Sequence, residues 1–510
     1  MADFQAAMAE GYGFDGPTIG LGRPFVDPAA PVTGVEVRIP LGLLNRHGLI
    51  AGATGTGKTK TLQLLAEQIA AAGTPVFAAD MKGDLAGIAA PGEANDRVTA
   101  RNTELAHAWT PAAASVELLS LSGQSGVPLR ATVASFGPIL LSKVLSLNDT
   151  QESTLSLVFR YCDEKKLPLL ELEDLRTVLA YLAGPGKDEL ELLGGISKAT
   201  VGVIQRKVTE LEADGGDVFF GEPELDLRDL LRTAPDGRGV ISVLHLADVQ
   251  ARPALFSTFL MWVLAELFEM LPEVGDPEKP TLVFFLDEAH LLFADATKAF
   301  RDAVSQTVRL IRSKGVGVFF VTQLPTDLPD EVLAQLGHRV QHAVRAFTPK
   351  DAKALREVVQ TYPQTDFYEL DETLQSLGVG EAVVTALNPR GVPTPVCAAR
   401  LYPPASRMGP LTPEERAAIT ALSPLHPKYA TPVDRESAME ILTAKLNDDR
   451  DAAEAARERA KPAPPREPDR RPKDDDGLLG GIGDLMQSKV AQQVTREVVR
   501  GIFGMLKRRR

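Results

Sequence analysis

The chain is short of the residues that would build a disulfide or metal scaffold. Two cysteines occur in 510 residues, Cys162 and Cys397. They lie far apart, lack metal-ligand spacing, and read as small buried thiols in a reducing compartment. Clean apolar runs are also missing. The most apolar stretch, Ala254–Leu271, carries Glu266 and Glu269. It falls short of the roughly 20 uninterrupted apolar residues of a membrane span and reads as a buried core helix. The N-terminus, Met1-Ala-Asp-Phe-Gln, has no basic region leading into an apolar core. No signal peptide is expected, and a cytoplasmic protein is. No internal repeat of about 20–50 residues stands out. Positive charge is in deficit, with 55 Lys and Arg against 68 Asp and Glu and a net charge of −13. That disfavours a broad surface coating nucleic acid and leaves open a local basic groove or a ring-shaped pore.

What remains is ordinary globular composition, 44% hydrophobic and 24% charged, in a chain long enough for roughly two to four structural units. Residues 1–40 are rich in Pro and Gly and read as an irregular arm or a short β element. Arg46–Ala51 reads as a strand, Lys58–Ala72 as a helix closed by Gly73, and Pro75–Ala79 as a second strand. Strand, glycine-rich turn, helix and strand make the βαβ unit of an α/β sheet. Residues 90–235 read as a helical insertion between the two parts of that core, 41–89 and 236–403. Gly239–Leu246, Leu282–Leu286 and Val316–Thr322 are near-continuously apolar, as strands buried on both faces must be. Arg339–Arg345 and Glu381–Ala386 are further candidate strands. A helical extension is expected over 404–460 and a charged, Pro-rich flexible linker over 461–484. Residues 485–510 are expected to form a basic amphipathic helix, with Met486, Val490, Val494, Val498, Ile502 and Leu506 at helical spacing.

Gly52-Ala53-Thr54-Gly55-Thr56-Gly57-Lys58-Thr59 matches G-x-x-x-x-G-K-[ST] in full. Glycines let the backbone curl so that successive N–H groups face phosphate oxygens, and the following helix turns its N-terminus to the same anion. Lys58 is placed to reach the β- and γ-phosphates and Thr59 to ligate Mg²⁺, with Lys60 beside them; ATP and Mg²⁺ are the implied ligands. Asp287-Glu288 follows an apolar strand, at the end where open α/β sheets bind ligands. Asp287 suits the Mg²⁺ water shell, and Glu288 suits the general base that polarises an attacking water. Gln323, at the end of Val316–Thr322, either senses the γ-phosphate or makes a strand-end hydrogen bond. Asp80-Met-Lys-Gly-Asp84 ends the second strand on the same edge. It either contacts nucleotide, Mg²⁺ or a neighbouring subunit, or is an ordinary turn. His290 reads as structural.

The P-loop, Leu-Asp-Glu-Ala-His (286–290) and Val-Thr-Gln-Leu-Pro (321–325) resemble the HerA/FtsK group of motor ATPases. The stretches Asp80–Leu85, Pro138–Gln151 and above all Arg339–Asp351 are similar to a bacterial HerA-like branch, over roughly residues 20–505. The resemblance implies a RecA-like ASCE P-loop NTPase with a central, mostly parallel sheet, in which one strand separates the P-loop strand from that of Asp287. It also implies hexameric rings with nucleotide at subunit interfaces. A neighbour's arginine would complete each site, and Arg309, Arg312, Arg339 and Arg345 are the candidates. The stretch before the P-loop strand, residues 1–45, is too short for the β-barrel on which HerA translocases dock a nuclease. That partner is therefore not expected.

Three functions remain open. The first is an ATP-driven translocase of nucleic acid, gripping DNA through pore loops. The second is an ATPase that remodels proteins, held at a membrane surface by its C-terminal tail. Between Lys489 and Arg510 that tail has seven basic residues against Glu497, which suits anionic lipid, nucleic acid or another subunit. The third is a nucleotide-dependent switch with slow turnover.

Overall fold

The computed structural model describes residues 2–192, 197–250, 252–275, 277–293 and 298–459. The linker and the basic helix expected over 461–510 lie outside the described residues. Contacts divide the chain into Met1–Asp448 and Asp449–Arg510. The sheet, the cores and the site below belong to the first unit. Residues 449–459 of the second are the last turns of the helix Ala438–Arg459.

Twelve strands form one sheet. They are β1 (Thr18–Pro24), β2 (Val37–Pro40), β3 (Gly48–Ala51), β4 (Val76–Asp80), β5 (Val116–Ser120) and β6 (Val127–Pro128). Then follow β7 (Ile241–His245), β8 (Leu282–Leu286), β9 (Val316–Thr322), β10 (His338–Gln341), β11 (Glu381–Thr385) and β12 (Cys397–Leu401). Their spatial order is β2-β1-β12-β11-β10-β3-β9-β8-β4-β7-β5-β6. Every pair from β10 through to β6 is parallel. The remaining four strands continue the sheet antiparallel from β10. Strand β9 lies between β3 and β8, the separation the family resemblance implies.

Continuous apolarity in the middle strands serves two cores. Leu282, Phe284 and Leu286 of β8 face one core, and Val283 and Phe285 face the other, as the two-residue period of a strand dictates. The first core takes the helices Val133–Val144, Asp149–Lys165, Leu172–Ala183, Lys198–Leu211 and Pro253–Met270. The second takes α1 (Ala2–Gly11) and α2 (Lys58–Ala71). Pro253–Met270 is long and apolar enough to cross a membrane by length and composition. Here Phe256, Phe259, Trp262 and Val263 are buried in the first core.

Three stretches differ from the sequence reading. Of the two readings of residues 1–40, the β element holds and the irregular arm does not: they supply α1, the edge strand β2 and its neighbour β1 in the main sheet. The P-loop strand starts at Gly48, because Leu41–Arg46 is a 3-10 turn. Residues 90–235 contain β5 and β6 as well as helices, so the sheet runs on beyond β7; the helix Asp96–Glu104 precedes β5, and the helices of the first core begin at Val133.

Three fully buried histidines pin the strands around β3. His47 Nε2 lies 2.7 Å from Val308 O, and its Nδ1 accepts from Val318 N of β9 at 3.0 Å. His338 Nε2 lies 2.7 Å from Leu43 O. His342 Nε2 lies 2.8 Å from Thr61 Oγ1 of α2. Burial pushes all three imidazoles down to about 4. They stay neutral in the fold while the unfolded chain protonates them near pH 6.5. The unfolded state therefore binds more protons between pH 6.5 and 4, and stability falls as pH falls through that window. Each histidine contributes a slope of about 1.4 kcal/mol per pH unit. Urea midpoints compared at pH 7 and pH 5 should show this loss, and His342→Gln should reduce it.

Candidate nucleotide site

The site grows from four parallel strands that end on one edge of the sheet. The P-loop runs from β3 into α2. Gly52, Gly55 and Gly57 have φ of 151°, 78° and 116°, a region open to glycine at little steric cost. At Gly52 an added Cβ would stand 2.5 Å from His342 Cβ. The loop is tied on three sides. Gly52 N donates to Gln323 O (3.0 Å), Ala53 N donates to Ala343 O (2.9 Å), and Gly380 N donates to Thr56 O (3.0 Å). Thr56 Oγ1 also donates to Ala53 O (2.7 Å). Thr54 and Gly55 are exposed at the crest of the loop, and Thr59 is half-buried in the first turn of α2.

Lys58 is buried and folds back over the loop, donating to Gly52 O at 2.7 Å and Ala53 O at 3.2 Å. Burial holds its ammonium below the ordinary lysine value, and the charge of Glu288 opposes that shift. Lys60 donates to Gln63 Oε1 (3.3 Å). Burial lowers its pKa too, against the pull of Asp84 and Asp80.

Asp287 and Glu288 stand at the end of β8. Asp287 is buried, and this burial, with Glu288 beside it, pushes its carboxyl up to about 7. Its Oδ1 accepts from Glu288 N at 3.0 Å. Glu288 has φ of 47°, left-handed backbone that a glutamate rarely adopts. Ala289 N donates to Val321 O of β9 (2.9 Å), which fixes the turn. His290 Nδ1 lies 3.5 Å from Glu288 Oε2.

Sequence reasoning did not single out Lys82. It belongs to the turn Asp80–Asp84, and its Nζ lies 2.9 Å from Glu288 Oε1. His342, which backs the P-loop, was likewise not singled out. No local pattern marks either contact, because each joins residues distant in the chain.

The other candidates are placed differently. Gln323 follows β9 on the P-loop edge with its side chain exposed, and its carbonyl receives Gly52 N. Arg345 is exposed beyond the end of β10, on that same edge, and donates to Gln375 O (2.9 Å). Arg339 lies within β10 and donates to Thr361 O (2.9 Å). Arg309 and Arg312 precede the start of β9, at the opposite edge of the parallel strands.

A buried, raised carboxyl such as Asp287 is what a bound cation would relieve. No group of three or more His, Cys, Asp or Glu suited to a metal occurs among the described residues. The chain's own groups on this edge that could hold a cation beside a phosphate are the Asp287 carboxylate and the Thr59 hydroxyl.

A model of the family described as helicase HerA-like C-terminal matches residues 29–510. The chain belongs to that family. Among characterised HerA-like proteins, it is similar to the "DNA double-strand break repair helicase HerA" of Sulfolobus acidocaldarius, 21% identical over 353 residues, 69% of this chain and 64% of that protein. The protein of the same name from Saccharolobus solfataricus is 23% identical over 354 residues, 69% of this chain and 63% of its own. The chain thus spans just under two thirds of these relatives' length. In structure it is similar to the bacterial conjugative coupling protein TrwB, with a TM-score of 0.50 and 15% identity over 79% of this chain and 100% of that one. TrwB in complex with the ATP analogue ADPNP gives a TM-score of 0.50 and 16% identity, covering 77% and 97%. The HerA-like family and this likeness agree with the strand order in giving an α/β P-loop NTPase fold.

Gly52→Ala forces a Cβ against His342 in a backbone region that alanine avoids. Affinity for ADP, measured by calorimetry, should fall at least about tenfold, with the far-ultraviolet spectrum of the fold retained.

Proposed function

We propose that this HerA-like chain is an ATP-hydrolysing motor of the HerA/FtsK type that works on DNA as a homo-oligomeric, hexameric ring. The observation that carries the hydrolysis is the convergence of Lys58, Thr59, Asp287 and Glu288 on one edge of parallel strands. P-loop N–H groups and Lys58 hold the β- and γ-phosphates, and Lys58 leaves its two loop carbonyls to do so. Thr59 and Asp287 would hold Mg²⁺, which when bound would supply charge neutralisation to the phosphates. Glu288 orients a water in line with the γ-phosphate and takes its proton. The water oxygen bonds to phosphorus, the bond to the β–γ bridging oxygen breaks, and that oxygen leaves on ADP.

A steady-turnover motor is favoured over a slow switch by Glu288, a base at the end of the Asp287 strand. DNA as the substrate is supported by the HerA relatives named above. The nuclease that HerA translocases dock is not part of this proposal. A ring also gives the exposed Arg345 a role, reaching the phosphates of a neighbouring subunit's site.

The test uses the full chain. Lys58→Ala should lose nucleotide binding or turnover. Glu288→Gln should keep ATP binding and lose about 10²–10⁴-fold in kcat. Double- or single-stranded DNA should stimulate hydrolysis, with binding that weakens as salt rises. Sedimentation should report a hexamer. Turnover that survives Lys58→Ala would overturn the site. Hydrolysis indifferent to any nucleic acid at low salt, but raised by liposomes, would move the reading to the membrane-associated ATPase.

A further inference from the structure

The turn after β4 brings a second cation to the site, and its construction is specific. Asp80 is buried at the end of the strand. Its carboxylate accepts from the N–H groups of Lys82 (3.3 Å), Gly83 (2.8 Å) and Leu85 (3.1 Å). The chain therefore curls around the carboxylate. Gly83 has φ of 76°, and an added Cβ there would stand 2.9 Å from His245 Cε1. Only glycine fits both conditions. Gln250 Nε2 donates to Met81 O and holds the turn from the far side. Strands β4 and β8 pair in register, Ala79 beside Leu286, so the turn stands next to Asp287-Glu288.

The result is an ion pair whose partners differ in freedom. Lys82 Nζ is 2.9 Å from Glu288 Oε1, with the lysine side chain 45% exposed and the glutamate 13%. Glu288 is also fixed by its strained backbone. The lysine is a long, hydrated point charge on a flexible stem. When the pair opens, the lysine is the partner that moves.

We propose that Lys82 is a γ-phosphate sensor that holds Glu288 in reserve. Without a triphosphate, its ammonium pairs with Oε1 of the carboxylate and offsets its charge, which weakens Glu288 as a base for the attacking water. A γ-phosphate bound at Lys58 brings a more highly charged anion to the same edge of the sheet. Charge-assisted contacts strengthen with the charge of the acceptor, so the ammonium transfers to the γ-phosphate. Glu288 is freed, and the transition state gains a second cation. ADP lacks the group that draws Lys82 across. This inference rests on the ATPase reading above.

The experiment compares Lys82→Met and Lys82→Arg with the unaltered chain. It measures affinity for ADP and for a slowly hydrolysed triphosphate, ATPγS, together with kcat and KM for ATP. The unaltered protein should favour ATPγS over ADP. Lys82→Met should lose about tenfold of that preference, keep ADP affinity within about twofold, and lose about tenfold or more in kcat. Lys82→Arg should restore most of both. A lysine that merely braced the turn would change ADP and ATPγS affinity together. That result would overturn the proposal, as would a Lys82→Met protein with unchanged preference and turnover. Failure of the unaltered chain to bind ADP or hydrolyse ATP would instead overturn the ATPase reading, which separates the two failures.

Discussion

Parallel, in-register pairing of β3, β9, β8 and β4 is the constraint on which the site depends. Parallel strands present their carboxyl ends to the same edge, with a crossover between each pair. β3 delivers the P-loop there, β9 delivers Gln323, β8 delivers Asp287 and Glu288, and β4 delivers the turn that carries Lys82. The apolar side chains enforce this register. Leu282, Phe284 and Leu286 fill one core while Val283 and Phe285 fill the other. A slip of one residue would exchange those faces and displace the two carboxylates along with them. The same burial that stabilises β8 therefore positions its acids.

That edge gathers charge which the protein alone does not settle. Lys58 and Asp287 are both buried, and burial drives each toward neutrality, one down and one up. Their mutual neighbour Glu288 carries unfavourable backbone and pairs with Lys82 from the adjoining strand. A polyanion accompanied by a divalent cation satisfies the lysine and the aspartate together. An isolated anion would satisfy only the first. The arrangement thus suits a metal–polyphosphate complex better than a simple anion, and it explains why the acids stand opposite the P-loop and not within it.

Much of this was legible in the sequence because the relevant signals are local. Strand ends at Leu286 and Thr322 are marked by the switch from continuous apolarity to polar residues, and α2 is marked by the P-loop before it and Gly73 after it. Other elements carried contrary local signals. β1, Thr-Ile-Gly-Leu-Gly-Arg-Pro, looks like loop. Its Gly22 is needed because β12 passes so close that an added Cβ would meet Arg400 O at 2.1 Å. β5, Val-Glu-Leu-Leu-Ser, is as compatible with a helix as with a strand, and only its pairing with β7 decides. Lys82 lies inside a turn, and its ion pair with a residue on another strand leaves no trace in spacing. The position of Arg309 and Arg312 was implicit in chain order. Both precede β9, and the start of a parallel strand faces away from the phosphate edge.

The stretch Arg339–Asp351, the most specific mark of the family resemblance, does its work beside the chemistry and not within it. His342 fills the space under Gly52, and Ala343 O fixes Ala53 N. Gly380, at the entry to the antiparallel partner β11, fixes Thr56 O. Arg101 in turn donates to the carbonyls of Gly380 (3.0 Å) and Val379 (3.0 Å). The P-loop is therefore clamped from the antiparallel half of the sheet and approached by acids from the parallel half. A loop clamped in this way keeps its N–H groups convergent before any phosphate arrives, so binding spends little on ordering the backbone. Two lysines at the site rest on the protein's own oxygens, Lys58 on loop carbonyls and Lys82 on Glu288. Both are held by contacts that a phosphate can replace.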